Sequence, residues 1–334
     1  MEEMSAPAVS APRPASEIAG GHAPRDLRAW IDAVDRIGQL KRIPDEVSRN
    51  EEMGAITYMA HQEINAPTLL FENIKESPRG YRALWNPIGS SYDRFAVAIG
   101  EPAGLSVMEL VRRCKSKFSV AIPPVIVDGV GQPANENHLR DDKVDIRDFP
   151  AARHWAGDGG EYVGTCDAII TRDPDDGWLN VGTYRQMVQS KNQVGLYLSP
   201  GKDARLHIER CWARNEACEV VMCWGIDPAL FIVACQTFPK TVSELDYAGG
   251  LMGRPVELVK GEVTSLVYPA RAEIVAEGVI PPDSQKLEGP FGEFTGYYGR
   301  PEDLAFLVHV KAVHHRDNPI LTHALMADYP ANEN

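Results

Sequence analysis

Hydrophobic residues recur with helical spacing in the first part of the chain. Leu27, Trp30 and Val34 are separated by three or four positions, and Gly38 follows them. The same spacing includes Leu40, and the pattern predicts an amphipathic helix that begins near Asp26 and is closed by Gly38. Similar spacing and one short apolar run predict two further helices over 51–63 and 106–118 and a strand over 67–74. These elements form a small α/β domain over residues 26–120.

The pattern changes after the paired prolines at 123 and 124, where short apolar runs replace the helical spacing. Eight runs predict β-strands, over 162–171, 179–188, 194–199, 218–224, 256–259, 272–277, 304–313 and 320–326. Two stretches with helical spacing interrupt them, over 204–215 and 242–251. Many strands with few helices favour a closed or split β-barrel over alternating βαβ units. The predicted fold class is therefore α+β, with the barrel domain over residues 121–330.

Composition and charge narrow the classes of protein and partner. Residues 1–25 contain four prolines and few large apolar side chains, which predicts a disordered lead. The chain has 34 Lys and Arg against 47 Asp and Glu, a net charge of −13, which disfavours nucleic acid and anionic membranes as partners. The six cysteines show no C-x-x-C spacing, and no apolar stretch is long enough to span a membrane. These features predict a cytoplasmic protein with reduced thiols.

The strongest local signal is the Glu-Gly-Pro-Phe-Gly-Glu segment at 288–293. Glycine accepts positive φ and proline fixes φ, so the segment predicts an irregular turn that can direct Glu288 and Glu293 inward. One carboxyl group could then donate a proton while the other stays ionised beside a cation. The alternative is a solvated acidic turn. The aromatic residues in and after the segment argue against that alternative: Phe291, Phe294, Tyr297 and Tyr298.

A second polar segment, Asn-Val-Gly-Thr-Tyr-Arg-Gln, occupies 180–186. On a continuous strand, alternation places Asn180 and Tyr184 on one face and Arg185 on the other. Inside a barrel, Arg185 would require a carboxylate partner because an unpaired buried charge is costly. On an edge strand, it would instead lie in water.

A third segment contains Ser243 and Glu244 at the start of the last predicted helix. Ser243 is a candidate N-cap. Glu244, in the first turn, is either favourably placed for the helix dipole or a ligand for a hard cation.

Together these segments resemble those of the UbiD family of reversible decarboxylases, which use prenylated FMN. The resemblance pairs the Asn-to-Gln segment with the Glu-Gly-Pro-Phe-Gly-Glu segment about a hundred residues later. It extends to Asp-Leu-Arg-Ala-Trp-Ile at 26–31, Glu-Ile-Val-Ala-Glu-Gly at 273–278 and Pro-Ala-Asn-Glu at 330–333. It implies a cofactor domain built as a split β-barrel like that of flavin reductases, preceded by a small α/β domain.

The resemblance also implies the residues of a site. It places a catalytic trio on Arg185, Glu288 and Glu293, with Arg185 paired to Glu288 and with Glu293 free to exchange a proton with the substrate carbon that loses CO₂. It places a divalent metal, Mn²⁺ or Mg²⁺, on Asn180 and Glu244, where the metal bridges to the cofactor phosphate. K⁺ is a further candidate cation. The cofactor-binding residues are predicted to be Asn180, Thr183, Tyr184, Arg185, Tyr197, Leu198, Ser199, Lys202 and Glu244.

The chain departs from the family pattern in two places. Family members often have a third metal ligand, a histidine, where this chain reads Ser-Pro-Gly-Lys-Asp at 199–203. Asp203 is the candidate replacement, and Lys202 is a candidate contact of the phosphate. Family chains also continue into a C-terminal domain that covers the site and forms the dimer. That domain is absent here, which predicts a truncated product or a short paralogue.

These features lead to three hypotheses. The first is a decarboxylase that uses prenylated FMN and acts reversibly, without net oxidation, on an aromatic, heteroaromatic or α,β-unsaturated carboxylic acid. A flavin prenyltransferase would supply its cofactor, and the full-length parent would be a homo-oligomer. The second is a module that binds flavin and metal without turnover. The third is an oxidoreductase similar to flavin reductases. The similarity of fold permits it, but such an enzyme does not require the Glu-Gly-Pro-Phe-Gly-Glu segment.

Overall fold

A computed structural model describes residues 22–240 and 242–331 of the protein. These residues form seven α-helices: α1 (Leu27–Arg36), α2 (Glu52–Ala60), α3 (Tyr92–Ala98), α4 (Val107–Phe118), α5 (Asp203–Ala213), α6 (Pro228–Ala234) and α7 (Glu244–Met252). They also form seventeen strands: β1 (Leu40–Val47), β2 (Thr68–Ile74), β3 (Arg82–Trp85), β4 (Val125–Ile126), β5 (Asn137–Arg140), β6 (Tyr162–Gly164), β7 (Asp167–Arg172), β8 (Leu179–Gly182), β9 (Gln186–Ser190), β10 (Gln193–Leu196), β11 (Cys218–Trp224), β12 (Glu257–Lys260), β13 (Val267–Pro269), β14 (Ile274–Ile280), β15 (Gln285–Glu288), β16 (Asp303–His315) and β17 (Ile320–His323).

The largest sheet has ten strands and is antiparallel throughout. Its main path runs β6-β9-β10-β16-β14-β11-β7-β8, and β5 and β15 also pair with β16. The sheet curls into a half-barrel. The long strand β16 connects the β15 segment to the centre of the sheet, which brings the Glu288 end of β15 into the same sheet as β9 and β10. The predicted α+β class is confirmed.

A second sheet joins residues from both ends of the described chain. Its order is β1-β2-β3-β17, and β17 pairs with β3 in parallel. Strand β17 follows β16 in sequence, so a short chain segment links the large sheet to the small sheet. Strands β4, β12 and β13 form a third, small sheet. The small sheet therefore contains strands from both predicted domains, residues 26–120 and residues 121–330.

Local signals explain several helix starts. Asp26 caps α1 by accepting from the backbone N of Ala29, Ser106 caps α4, and Ser243 caps α7. The first helix ends at Arg36, next to the predicted stop at Gly38, which adopts a φ of +71°. Leu40, which the helical spacing included, begins β1 instead. Residues 22–25 of the predicted disordered lead are described and Ala23 is buried, whereas residues 1–21 lie outside the described residues.

Buried apolar side chains form cores on both faces of the large sheet. One core includes helices α6 and α7 together with residues of β7 and β11. Another includes Trp224, Ile274 and Val308, and α5 packs there. Within the described residues, no helix is both long and apolar enough to cross a membrane.

Candidate active site

Arg185 lies in an irregular link between two strands rather than in the middle of one. The prediction of a continuous strand over 179–188 is wrong, because β8 ends at Gly182 and β9 begins at Gln186. Between them the backbone N of Thr183 donates to the carbonyl of Ala234, and the N of Tyr184 donates to Oδ1 of Asp167. These two bonds take Thr183 and Tyr184 out of the ladder, and the carbonyl of Arg185 then accepts from the backbone N of Tyr197 at 3.2 Å.

Arg185 and Glu288 form a bidentate ion pair. Nε of Arg185 lies 2.9 Å from Oε1 of Glu288, and Nη2 lies 2.9 Å from Oε2. The Glu288 side chain is 1% exposed and the Arg185 side chain 11% exposed. Burial alone would lower the pKa of Arg185, but the hydrogen bonds and charge of Glu288 outweigh burial and raise it. The prediction that these two residues form an ion pair is confirmed.

Tyr162 is a further partner of Glu288 that the sequence reasoning missed. Its hydroxyl donates to Oε1 of Glu288 at 2.9 Å, and it belongs to β6, which pairs with β9. Burial, reinforced by the negative charge of Glu288, raises the pKa of Tyr162. The Glu288 carboxylate thus accepts from both a cation and a neutral donor, which compensates its removal from water.

Glu293 is the more exposed carboxylate of the pair. Its side chain is 32% exposed, and its Oε1 lies 3.5 Å from Nη1 of Arg185. Glu293 therefore contacts the same guanidinium that holds Glu288, although at a longer distance and through a single nitrogen. The sequence predicted that Glu293 has no cationic partner, and the structure differs because Glu288 occupies Nε and Nη2 of Arg185 and leaves Nη1 for Glu293.

Asp158 holds the turn that carries the two glutamates. Its carboxylate accepts from the backbone N of Gly292 at 3.1 Å, from the N of Trp155 at 2.9 Å and from the hydroxyl of Tyr298 at 3.1 Å. Burial raises the pKa of Asp158 despite these donors. Gly159 lies so close to the turn that an added Cβ would clash with the carbonyl of Gly289. The Asp-Gly-Gly run at 158–160 was the available sequence signal for this contact.

A cavity of about 330 Å³ opens beside Arg185, and predicted residues form much of its wall. Thr183, Tyr184, Arg185, Tyr197, Ser199, Lys202 and Glu293 all line it. The Tyr197 ring lies under the Arg185 guanidinium at 4.3 Å, a favourable cation–π distance. The wall also includes residues that were not predicted as site residues: Thr165, Phe231, Cys235, Phe291, Ala324 and Met326.

Leu198 differs from the other predicted cofactor-binding residues. Its side chain is 2% exposed and belongs to the hydrophobic core that includes Trp224. Because neighbouring side chains on an extended segment alternate in direction, Tyr197 and Ser199 reach the cavity while Leu198 faces the core. Only the backbone of Leu198 is available to a ligand.

All three predicted metal ligands interact with Tyr184. The Asn180 amide N is 3.5 Å from the Tyr184 hydroxyl, and the charges of both Asp203 and Glu244 contribute to raising the pKa of Tyr184, after burial. Glu244 is 3% exposed, and its Oε2 has no hydrogen-bond partner among the described residues. Burial, with smaller contributions from Asp203 and Asp246, raises the pKa of Glu244 to about 7. A buried carboxylate oxygen without a donor suits a hard divalent cation.

A separate group of potential metal ligands lies on β5, β16 and the loop after β12. It comprises His138, Glu262 and His314, whose ligand atoms lie within 4.8 Å of one another. The two imidazole rings stack at an interplanar angle of 3°. Each imidazole lies within hydrogen-bond distance of a carboxylate. Nε2 of His138 is 2.9 Å from Oε2 of Glu262, and Nε2 of His314 is 2.9 Å from Oε1 of Glu277. This group shares no residue with the predicted ligands Asn180, Asp203 and Glu244.

Comparison with known families identifies the class of protein. Residues 126–329 match the model of the 3-octaprenyl-4-hydroxybenzoate carboxy-lyase Rift-related domain, and residues 31–114 match the corresponding N-terminal domain. The chain belongs to the UbiD family, as its motifs indicated.

Two of the curated relatives are decarboxylases named for different acids. The chain is 33% identical over 321 residues to pyrrole-2-carboxylic acid decarboxylase of Pseudomonas aeruginosa, which covers 92% of this chain and 63% of the relative. It is 32% identical over 308 residues to phenolic acid decarboxylase of Bacillus subtilis, covering 90% of this chain and 63% of the relative. The chain thus spans less than two thirds of the length of these relatives.

Solved structures show the same fold. Vanillic acid decarboxylase of Sedimentibacter hydroxybenzoicus in its closed form superposes with a TM-score of 0.86 at 30% identity, over 92% of this chain and 65% of that one. The UbiD-class enzyme HmfF of Pelotomaculum thermopropionicum, in complex with prFMN, superposes with a TM-score of 0.82 at 30% identity, over 92% of this chain and 68% of that one.

Proposed function

We propose that this chain carries the cofactor-binding and proton-transfer part of a decarboxylase. The reaction is the reversible, non-oxidative loss of CO₂ from an aromatic, heteroaromatic or α,β-unsaturated carboxylic acid, with prenylated FMN as cofactor. The observation that carries the proposal is the Arg185–Glu288 pair with Glu293 on the same guanidinium, at the wall of a cavity. Support comes from relatives named as decarboxylases and from a structural neighbour in complex with prFMN.

The residues beside this cavity are chemically suited to a flavin phosphate. Lys202 supplies a cation and Ser199 a hydroxyl, and both line the cavity. Lys202 is also the residue before α5, whose first backbone N–H groups have no partner within the helix and favour an anion. In a chain of net charge −13, such local donors are needed before an anionic cofactor can bind.

Prenylated FMN, when bound, would supply the electron sink that an sp² carboxylic acid lacks. The protein contributes orientation and a proton. Arg185, held along its Nε–Nη2 edge by Glu288, binds and orients anionic groups in the cavity. Glu293, which is partly exposed and contacts Nη1 of Arg185, delivers the proton to the ring or vinyl carbon that loses CO₂.

We also propose that Asn180, Glu244 and Asp203 hold Mn²⁺ or Mg²⁺ beside the cofactor phosphate, with K⁺ a further candidate. The unpartnered buried Oε2 of Glu244 supports this proposal. Glu244→Ala should lose bound metal and bound flavin together, measured by elemental analysis and absorbance. Asp246→Ala, two residues further along in the first turn of the same helix, should lose neither. Retention of both ligands in Glu244→Ala would contradict the assignment.

A second candidate function is a flavin- and metal-binding unit that turns over only with further chain or a partner subunit. The observation that favours it is the length of the match: this sequence spans 63% of the length of each of the two decarboxylases described above. In either case we propose that a flavin prenyltransferase supplies the cofactor and that the full-length protein is a homo-oligomer.

One experiment separates these functions. The protein is co-expressed with a flavin prenyltransferase, and the absorbance spectrum and intact mass of its cofactor are measured. The loaded protein is then incubated in D₂O with candidate acids and with their decarboxylated products, and deuterium incorporation is followed by NMR. Cofactor with exchange supports the decarboxylase, and cofactor without exchange supports the binding unit. Absence of any flavin would reject both.

A further inference from the structure

We propose that His138, Glu262 and His314 form a Zn²⁺ site that is separate from the candidate active site. The ligand atoms of these three residues lie within 4.8 Å of one another. The residues line a cavity of about 850 Å³, which shares no described wall residue with the cavity beside Arg185. The proposal therefore does not depend on decarboxylation by this chain.

The large sheet places the two imidazoles side by side. Strands β5 and β16 are antiparallel, and His138 lies directly opposite His314 in their register. Side chains of directly opposed residues lie on one face of a sheet, with their Cβ atoms about 4.5–5.5 Å apart. The two rings accordingly stack with their centroids 4.8 Å apart. Backbone pairing thus brings two nitrogen donors together.

A buried carboxylate orients two of the three residues. Oε1 of Glu277 lies 2.9 Å from Nε2 of His314 and accepts from the backbone N of Glu262, also at 2.9 Å. Both oxygens of Glu277 accept backbone N–H groups, since Oε2 accepts from Thr264. The carboxylate is therefore the acceptor, so Nε2 of His314 carries the hydrogen and Nδ1 keeps its lone pair. Histidines that bind metals are typically held in this way by a carboxylate on the other ring nitrogen.

Glu262 presents one oxygen to the pair of rings. Its Oε1 accepts from Nη1 of Arg140 at 2.6 Å, and its Oε2 lies 2.9 Å from Nε2 of His138. The contact with Arg140 fixes the carboxylate and leaves Oε2 on the side of the imidazoles. Two imidazole nitrogens and one carboxylate oxygen are a known ligand set of zinc enzymes, in which a further position stays open to water.

The charges around the cluster favour a dication. Asp128 and Lys260 line the same cavity, and their charges offset each other. The charge of Arg140 offsets that of Glu262 in the same way. With both imidazoles neutral, as metal ligands must be, the negative charge of the buried Glu277 is left over among these groups. A bound Zn²⁺ compensates it.

Binding of Zn²⁺ opens the stack of the two rings. The rings are parallel to within 3°, and an imidazole binds a metal in its own plane, so one ring must turn before both can bind one ion. His138 has the room to turn, because its side chain is 38% exposed whereas that of His314 is 5% exposed. The stacked arrangement is therefore the metal-free form of the site.

The test is titration of the untagged full chain, first stripped with a chelator, with Co²⁺ and then with Zn²⁺. Four-coordinate Co²⁺ with imidazole ligands absorbs visible light more strongly than six-coordinate Co²⁺ on oxygen ligands. We expect a visible band that Zn²⁺ removes. His138→Ala and Glu262→Ala, at exposed positions, should each weaken Co²⁺ binding at least about tenfold, because even the outer partners of metal ligands contribute about 10- to 100-fold.

Two control variants should keep the band. His309→Ala changes a histidine of the same strand whose Nε2 lies 3.0 Å from Oγ of Ser284, outside the cluster. Glu244→Ala changes the separate site proposed beside the flavin phosphate, whose oxygen ligands suit Mg²⁺ or Mn²⁺ rather than Zn²⁺. Loss of the band in Glu244→Ala alone would assign the bound metal to that other site and overturn the proposal.

Long-range ¹H–¹⁵N NMR tests the buried ligand without a substitution. Zn²⁺ should shift the Nδ1 resonance of His314 and a ring nitrogen of His138, and it should leave both ring nitrogens of His309 unchanged. Three results would each overturn the proposal: no band that Zn²⁺ removes, a band retained in His138→Ala or in Glu262→Ala, or an unshifted His314. The cluster would then be an ordinary ion pair between His138 and Glu262.

Discussion

Two arginine–glutamate pairs among the described residues are bidentate and buried on the glutamate side, and the Arg185–Glu288 pair lies beside a cavity. Arg28 contacts Glu273 through Nε and Nη2 at 2.8 and 2.7 Å, and Arg185 contacts Glu288 in the same way at 2.9 Å. Both glutamates are almost fully buried. Both also belong to segments by which the sequence resembles the UbiD family.

The surroundings of the two pairs differ. Around Glu273, the other donors and acceptors are used internally: Arg28 also donates to the carbonyl of Asp317, Arg316 lies 3.3 Å from Glu273, and the N of Ile320 donates to it. This network attaches α1 to the start of β17. Around Glu288, the third nitrogen of Arg185 is directed toward the partly exposed Glu293 at a cavity wall.

This comparison shows that ion-pair geometry alone does not identify a catalytic group. A bidentate pair fixes an arginine in either setting. Chemistry additionally requires a donor or acceptor that the fold leaves available to a ligand. The following predictions test whether the Glu273 pair is structural and the Glu288 pair functional, and they run from the largest expected effect to the smallest.

The largest effect is expected from Glu293→Gln. The variant keeps the size and polarity of the side chain but removes the transferable proton, so decarboxylation and substrate deuterium exchange should fall by about 10²- to 10⁴-fold. Cofactor content and thermal stability should stay unchanged. The matched control is Glu302→Gln, which changes an exposed glutamate in the same loop between β15 and β16. A near-normal rate in Glu293→Gln together with an inactive Glu288→Gln would exchange the two roles.

Glu273→Gln should reduce the free energy of unfolding by about 3–5 kcal/mol, because it leaves Arg28 and Arg316 without their buried partner. Glu288→Gln should cost less stability, since Glu293 remains 3.5 Å from Arg185, but it should abolish most activity. Urea unfolding and turnover per folded molecule measure the two effects. Equal losses of stability, with equal losses of activity, would remove the distinction between the pairs.

Asp158→Asn should loosen the turn at 288–293 at a cost of about 1–3 kcal/mol, because an amide cannot accept from every donor that the carboxylate now serves. Hydrogen exchange with mass spectrometry should show faster exchange at the Gly292 amide, which donates to Asp158. The β14 amides beside Glu273 should keep their protection. Unchanged exchange at Gly292 would show that the turn is held by other contacts.

The smallest effect is expected from Tyr162→Phe, which removes one of three hydrogen bonds to Glu288. Stability should fall by about 1 kcal/mol, with a several-fold loss of kcat because Arg185 is less firmly placed. Tyr268→Phe is the matched control, since its buried hydroxyl donates to Asn135 at 2.9 Å outside the site. It should cost similar stability without loss of kcat. Identical behaviour of the two variants would count against a functional role for Tyr162.

The local sequence pattern predicted correctly those helices and strands that are fixed by residues within the element itself. Capping serines and Asp26 fixed the starts of three helices, and the apolar run at 218–224 became β11 at the predicted residues. Local pattern failed where the cause lies elsewhere in the chain. The strand predicted over 179–188 breaks because Asp167 and Ala234 offer its backbone other partners.

The sequence by itself determined the α+β class, the family, and the arginine and the two glutamates that meet at the candidate site. Only the tertiary structure decided that Tyr162 joins Glu288, that Asp158 holds the turn, that Leu198 faces the core, and that Tyr58 lies near Glu293. The physical reason is the range of the interactions. Periodicity and capping act within a few residues, whereas these contacts form only when the folded sheets bring distant segments together.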